Sequence, residues 1–245
     1  MTINRPKVNN ALDEQTYEEF GKAIDELKID SSVRVIVITG AGKSFCSGID
    51  LKFASTLKNS SQTEFRILLQ KIQNIFLFEK IDKPVIAAVK GFALGNGCDI
   101  ALASDIIIAS ENAKFSMAYT NLGLIPDLGG TFRLPRLVGT AMAKEIILTG
   151  EMIDAEKAHN IGIVNKVVSD ETLQDEAMAF AQKLAQRAPV ALAMAKKAIN
   201  NGLGGDLYSS LEFETYMQNI CIQSEDVTEA VTAFLEKRKP QFTGK

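Results

Sequence analysis

The stretch GLIPDLGGTFRLPR (123–136) sets one carboxylate, Asp127, between a proline and two glycines. Leu122, Leu124, Ile125 and Leu128 are its apolar neighbours. Burial among such side chains raises a carboxylate's affinity for a proton, which suits a catalytic base. A helix over 130–138 offers the same aspartate a second task, capping the helix start. The pattern leaves both open. SGIDL (47–51) and NGCDI (96–100) form a weak internal echo, each placing a glycine ahead of an apolar residue and an aspartate after a strand-like run. Glycine lets the backbone turn with its N–H groups exposed, and a helix start adds the positive end of a dipole. Two such turns, facing each other, would offer main-chain donors at Ile49 and Cys98 to one oxygen that becomes negative, the geometry of an oxyanion hole. Two ordinary strand-to-helix turns fit the same pattern.

Other chemistries find little support. His159 is the single histidine, in EKAHNIG on a helix-like run, so Ser-His-Asp relays and histidine metal sites are not expected. Cys46, Cys98 and Cys221 are widely spaced and form no C-x-x-C pair, which speaks for free thiols over a disulfide frame or a zinc site. Neither a metal nor a redox cofactor is expected. With 30 acids against 27 bases and a net charge of -3, the chain lacks a basic footprint for nucleic acid. Its ending, EKRKPQFTGK, is the only local basic excess and reads as a solvated helix end. No apolar run reaches membrane-spanning length and no basic-then-apolar leader opens the chain, so a cytoplasmic address is expected.

The elements that must position these residues follow from periodicity. Asn10 is expected to cap a helix over 11–27, with Asp13 and Glu14 in its first turn. VRVIVIT (33–39), PVIAAVKG (84–91) and DIIIAS (105–110) read as buried strands. Helical spacing over 63–80 puts Phe65, Leu68, Leu69, Ile72, Ile75 and Phe76 on one face, and a short helix starts near Gly97. Strands alternating with helices predict an α/β core over 1–170. From 171 to 245, four helix-like stretches follow one another closely, with Phe180, Leu184, Met194 and Phe234 on apolar faces. This helical region is expected to be continuous with the core. An apolar fraction of 46% and a charged fraction of 23% are ordinary for a globular chain of 245 residues, long enough for a sizeable core.

Five motifs occur in order: NRPKVNNAL (4–12), VRVIVITGAGKSFCSGIDLK (33–52), GFALGNGCDIALASDIIIAS (91–110), AKFSMAYTNLGLIPDLGGTFRLPRLVG (113–139) and AFLEKRKPQF (233–242). Together they resemble the crotonase (enoyl-CoA hydratase/isomerase) superfamily over essentially the whole chain. The resemblance implies a spiral of ββα units with a C-terminal helical trimerisation region, assembled as a homotrimer or hexamer. It implies an acyl-CoA thioester as substrate, with coenzyme A belonging to the substrate and no separate cofactor. The oxyanion donors become the N–H groups of Ile49 and Asn96, which moves the second donor from Cys98 to Asn96. Main-chain donors leave the side chains at both positions free. Asp50, Leu51 and Lys52 would line the CoA site, Lys52 facing phosphate, while Phe234 and Lys237 would close over the nucleotide from a neighbouring subunit.

Hydratases of this family work with two glutamates, at the positions held here by Asp99 and Tyr119. A phenol with a pKa near ~10 stays protonated at neutral pH, so hydration by that pair is not expected. Asp127 stands where members that move double bonds carry an acid. The segment around it and the ending KRKPQFTGK look especially like the phenylacetate-pathway isomerase type, which acts on ring-1,2-epoxyphenylacetyl-CoA. The expected reaction is therefore a Δ3 to Δ2 double-bond shift, or rearrangement of a ring-derived acyl-CoA, through a thioester enolate. Asp127 would shuttle the proton, Asp99 would assist, and Tyr119 would face the substrate. A hydratase using Asp99 and Asp127 is the nearest alternative, and a non-catalytic acyl-CoA binder the next. The family usually has a further strand or hairpin before NRP, so the expectation is either that the start of the chain is late or that the first strand is missing.

Overall fold

In a computed structural model that describes residues 1–245, the alternation of β-branched runs with helical spacing resolves into two sheets and eleven α-helices. The chain runs β1 (Thr2–Ile3), α1 (Glu14–Ile29), β2 (Ile36–Gly40), α2 (Leu51–Leu57), α3 (Gln62–Ile75), β3 (Val85–Val89), β4 (Phe92–Leu94) and α4 (Asn96–Ala103). It continues through β5 (Ile106–Ser110), β6 (Lys114–Ser116), α5 (Gly130–Val138), α6 (Thr140–Thr149), β7 (Ile153–Asp154), α7 (Ala155–Asn160) and β8 (Lys166–Val168). Four helices follow: α8 (Leu173–Ala185), α9 (Pro189–Gly202), α10 (Leu207–Ile222) and α11 (Glu225–Leu235). No helix is long and apolar enough to cross a membrane.

Two successive units, β3–β4–α4 and β5–β6–α5, stack one on the next. β3 pairs in parallel with β5, and β4 in parallel with β6. This offset stacking makes the ββα spiral: a five-stranded parallel sheet in the order β1-β2-β3-β5-β8 beside a three-stranded one, β4-β6-β7. The larger sheet is covered on both faces, as parallel sheets usually are. Every residue of β3 is buried. Phe20, Ile24 and Phe76 belong to the core on one side, while Leu173, Ala177 and Ala181 of α8 pack with Ile86, Ala88 and Ile108 on the other. The first helix of the C-terminal region therefore completes the sheet. Beyond it, α10 packs mainly on α9.

Several elements depart from the sequence expectations for physical reasons. Asp13, not Asn10, caps α1, accepting from the Thr16 N–H at 2.9 Å. Asn10 is fully buried with φ 58°, and its amide donates to Ala41 O and Ser44 O at 2.9 and 2.7 Å, tying the chain start to the end of β2. The helix expected over 63–80 stops at Ile75, and Phe78–Lys80 is a separate 3-10 turn. The first strand is present but short: Thr2 and Ile3 pair with Thr39 and Gly40. β4 and β6, at three residues each, are too short to show an alternating pattern. Phe234, expected on an apolar face, is 83% exposed.

Candidate active site

Residues 46–50 run between two neighbours, bridged to them at Cys46 and Ile49. Leu12 takes one edge, with its N–H on Gly48 O at 2.8 Å and its carbonyl accepting from the Asp50 N–H at 2.9 Å. β4 takes the other: the Cys46 N–H donates to Phe92 O at 2.8 Å, and the Leu94 N–H to Cys46 O at 3.0 Å. In this parallel bridge Leu12 bonds to the residues on either side of Ile49 and not to Ile49 itself. The Ile49 N–H is thereby turned away from Leu12, and it finds no acceptor in the chain. Asn96 is the first residue of α4, so its N–H has no partner within the helix. The two turns abut. Gly48 adopts φ +96°, and a Cβ there would sit 2.8 Å from Leu94 O and 3.5 Å from Asn96 N.

Both unused donors border one cleft of about 630 Å³. Leu94, Ala118, Tyr119 and Asp127 also line it, and Asp50, Leu51, Lys52, Leu122 and Leu124 lie along it. Cys98, the second donor suggested by the internal echo, is buried inside α4 and does not border the cleft, whereas Asn96 does. Asp50 is already engaged: it caps α2 through the Lys52 N–H at 3.0 Å and meets Arg5 at 3.1 Å. Arg5 in turn pairs with Asp13 at 2.8 Å, joining the starts of α1 and α2. Phe234 and Lys237 do not line the cleft of their own chain.

The turn carrying Asp127 is held from α3 and the 3-10 turn behind it. Gln73 Nε2 donates to Asp127 O at 2.7 Å. The Arg133 guanidinium donates to Leu128 O and Phe76 O and pairs with Glu79. Sequence reasoning missed this clamp, and nothing local marks Gln73 for it. The capping role of Asp127 is not realised: Gly129 precedes α5, and no side chain caps that helix. Of its four apolar neighbours only Leu128 is buried, since Leu122 is 57%, Leu124 50% and Ile125 73% exposed on an open turn. Burial from the protein side, where Leu128 and Tyr119 are in the core, still pushes its carboxyl up to about 6. Asn96 Nδ2 approaches Asp127 Oδ1 at 3.4 Å.

Asp99 lies behind the cleft wall. It is 0% exposed and accepts a hydrogen bond from the Tyr119 hydroxyl, while Oδ1 has no partner. Burial, reinforced by the nearby Asp127 carboxylate, pushes it up to about 7 despite the phenol's hydrogen bond. Tyr119 is itself raised well above its ordinary range by burial. The cleft thus combines two vacant main-chain donors with one carboxylate that no cation neutralises. That set can polarise a carbonyl and accept a proton from the carbon beside it. His159 is remote from this chemistry, its Nδ1 lying 2.8 Å from Val164 O beyond the end of α7.

The likeness to known proteins runs over the full length of the chain. The family model described as enoyl-CoA hydratase/isomerase matches residues 1–245. A short-chain-enoyl-CoA hydratase of Clostridium acetobutylicum is 45% identical across 98% of this chain and 91% of its own. A 1,2-epoxyphenylacetyl-CoA isomerase of Escherichia coli is 39% identical across 100% of this chain and 94% of its own. Among solved structures, an enoyl-CoA hydratase from Bacillus anthracis superposes with a TM-score of 0.94 at 37% identity, covering 100% of this chain and 94% of that one.

Proposed function

The chain belongs to the enoyl-CoA hydratase/isomerase family, and from that premise we propose that it is an acyl-CoA isomerase working through a thioester enolate. The substrate's thioester oxygen accepts from the Ile49 and Asn96 N–H groups. Asp127 removes a proton from the α-carbon of a Δ3-enoyl thioester, the electron pair moving onto that oxygen. As the enolate collapses, the double bond forms between the α- and β-carbons, and Asp127 returns the proton to the γ-carbon. A ring-derived acyl-CoA with an acidic α-position fits the same scheme. No metal or redox cofactor takes part.

One observation carries this reading: the cleft offers a single carboxylate free of a cation, because Asp50 is paired with Arg5 and Asp99 is shut behind Tyr119. A proton shift between two carbons needs one base. Adding water across a double bond is served by two groups, one activating water and one delivering a proton. The relatives nevertheless favour a second reading, since the 45% and 43% identical ones are named as short-chain-enoyl-CoA and crotonyl-CoA hydratases. Separate incubation of Δ3- and Δ2-enoyl-CoA, read by liquid chromatography that resolves the two isomers ahead of mass detection, distinguishes the two. Isomerase action converts the first to a product of equal mass and leaves the second unhydrated. Fast 3-hydroxyacyl-CoA from the second, with no shift of the first, would sink the proposal. If thioesters bind but neither is turned over, the reading passes to a non-catalytic binder.

Assembly belongs to the same proposal. Phe234 is exposed on α11, and Leu207, Tyr208 and Leu211 stand exposed on α10. With Phe234 and Lys237 closing over a neighbour's nucleotide, the working species is a trimer or hexamer. Size-exclusion with light scattering at micromolar concentration is expected to show no dominant monomer. A fully active monomer would remove the shared site.

A further inference from the structure

We infer that the side-chain amide of Asn96 is a positioning group that orients the Asp127 carboxylate toward the two main-chain donors. The resemblance left this side chain free, but it is buried, only 5% exposed, and its Nδ2 stands 3.4 Å from Asp127 Oδ1. That separation is long for a resting hydrogen bond, and catalytic contacts of this kind commonly shorten once substrate closes the site. The Asp127 main chain is fixed independently, by Gln73 on its own carbonyl and Arg133 on the next. Rotation of the side chain is the freedom left. Among side chains, Asn96 alone donates to this carboxylate. One residue then carries both a donor for the enolate oxygen and the group that aims the base, which sets the base against the enolate within a single peptide unit. The amide also favours the ionised carboxylate, opposing the effect of burial.

The inference rests on Asp127 acting as the base. Asn96→Ala and Asn96→Ser both keep the main-chain N–H, and serine returns a short donor. Two readouts apply: kcat and KM for a Δ3-enoyl thioester against pH, and the titration of the Asp127 carboxyl carbon by NMR in substrate-free protein. For Asn96→Ala, kcat is expected to fall roughly 10- to 100-fold with KM within about twofold, as befits a group that aims a base without binding substrate. The Asp127 midpoint is expected to rise by about half a unit to one unit once the amide is gone. Asn96→Ser recovers part of both effects, and carries the test if the alanine variant does not fold. An unmoved titration with kcat within about twofold overturns the inference. A raised KM at unchanged kcat overturns it as well, since the amide would then bind substrate. Failure of the functional reading shows separately: turnover would survive Asp127→Asn, while the NMR titration would still report on the contact.

Discussion

Asp127→Asn should lower turnover of a Δ3-enoyl thioester by roughly 10²–10⁴-fold, the usual scale of general acid–base catalysis, and leave folding and thioester binding intact. Asparagine keeps the size and polarity of the residue and caps helices about as well as aspartate, so capping cannot produce such a loss. The pH profile adds a signature. Burial raises the Asp127 carboxyl to about 6, and only the ionised form accepts a proton. Wild-type kcat/KM should therefore be flat above that value and fall about tenfold per unit below it. Stability has the opposite sign. A folded-state pKa above the unfolded value means the native chain holds its proton longer, so this group's contribution weakens as pH rises from about 4 through about 6. Asp127→Asn is thus expected to be at least as stable as wild type at pH ~8, read as Tm. Asp99→Asn should affect turnover less, because Asp99 sits behind Tyr119. Loss of turnover in Asp99→Asn with a harmless Asp127→Asn would reverse the assignment.

Gly97→Ala should be nearly as damaging by a different route. Gly97 has no positive φ that demands glycine. Its constraint is contact: an added Cβ would overlap the Cys46 carbonyl carbon and oxygen, and that oxygen accepts the Leu94 N–H that registers the two donor turns. Main chain meets main chain here, so no flexible side chain can give way. Overpacking of this kind costs ~1–3 kcal/mol, or more where backbone resists. Any relief separates the Ile49 turn from α4, and loss of one oxyanion donor lowers kcat by roughly 10²–10³-fold. A drop in Tm together with that loss of kcat is the expected pair of results. Wild-type Tm and kcat in Gly97→Ala would show that the turns do not depend on this contact.

Much of the arrangement was legible because it is local. The three β-branched runs became β2, β3 and β5 of the parallel sheet, and the four late helices appeared with short connections. Asp127 was visible as an acid with two open uses, base or helix cap, and the glycines at 48 and 97 marked the turns. What failed was long-range. Asn10 and Asp13 are both capping types three residues apart, and only the position of β2 shows that Asn10 is spent on Ala41 and Ser44. Leu122 and Leu124 do lie along the cleft, but the open turn leaves half or more of each of them and of Ile125 exposed, so they do not enclose Asp127. By pattern Cys98 was the partner of Ile49 and only the resemblance pointed to Asn96; Asn96 starts α4 and borders the cleft, while Cys98 is buried within the helix. The clamp of Gln73, Glu79 and Arg133 joins residues more than fifty positions apart, beyond the reach of any local period.

The central claim is that one carboxylate both removes the proton and returns it. It is tested most directly with a Δ3-enoyl-CoA carrying deuterium at the α-carbon, incubated in ordinary water with wild-type protein and sampled early in conversion. A single half-buried base predicts that part of the deuterium taken from the α-carbon appears at the γ-carbon of the Δ2 product. Migration of the double bond with the γ-deuterium fraction unchanged in Asp127→Asn would contradict it and require another proton-carrying group in the cleft.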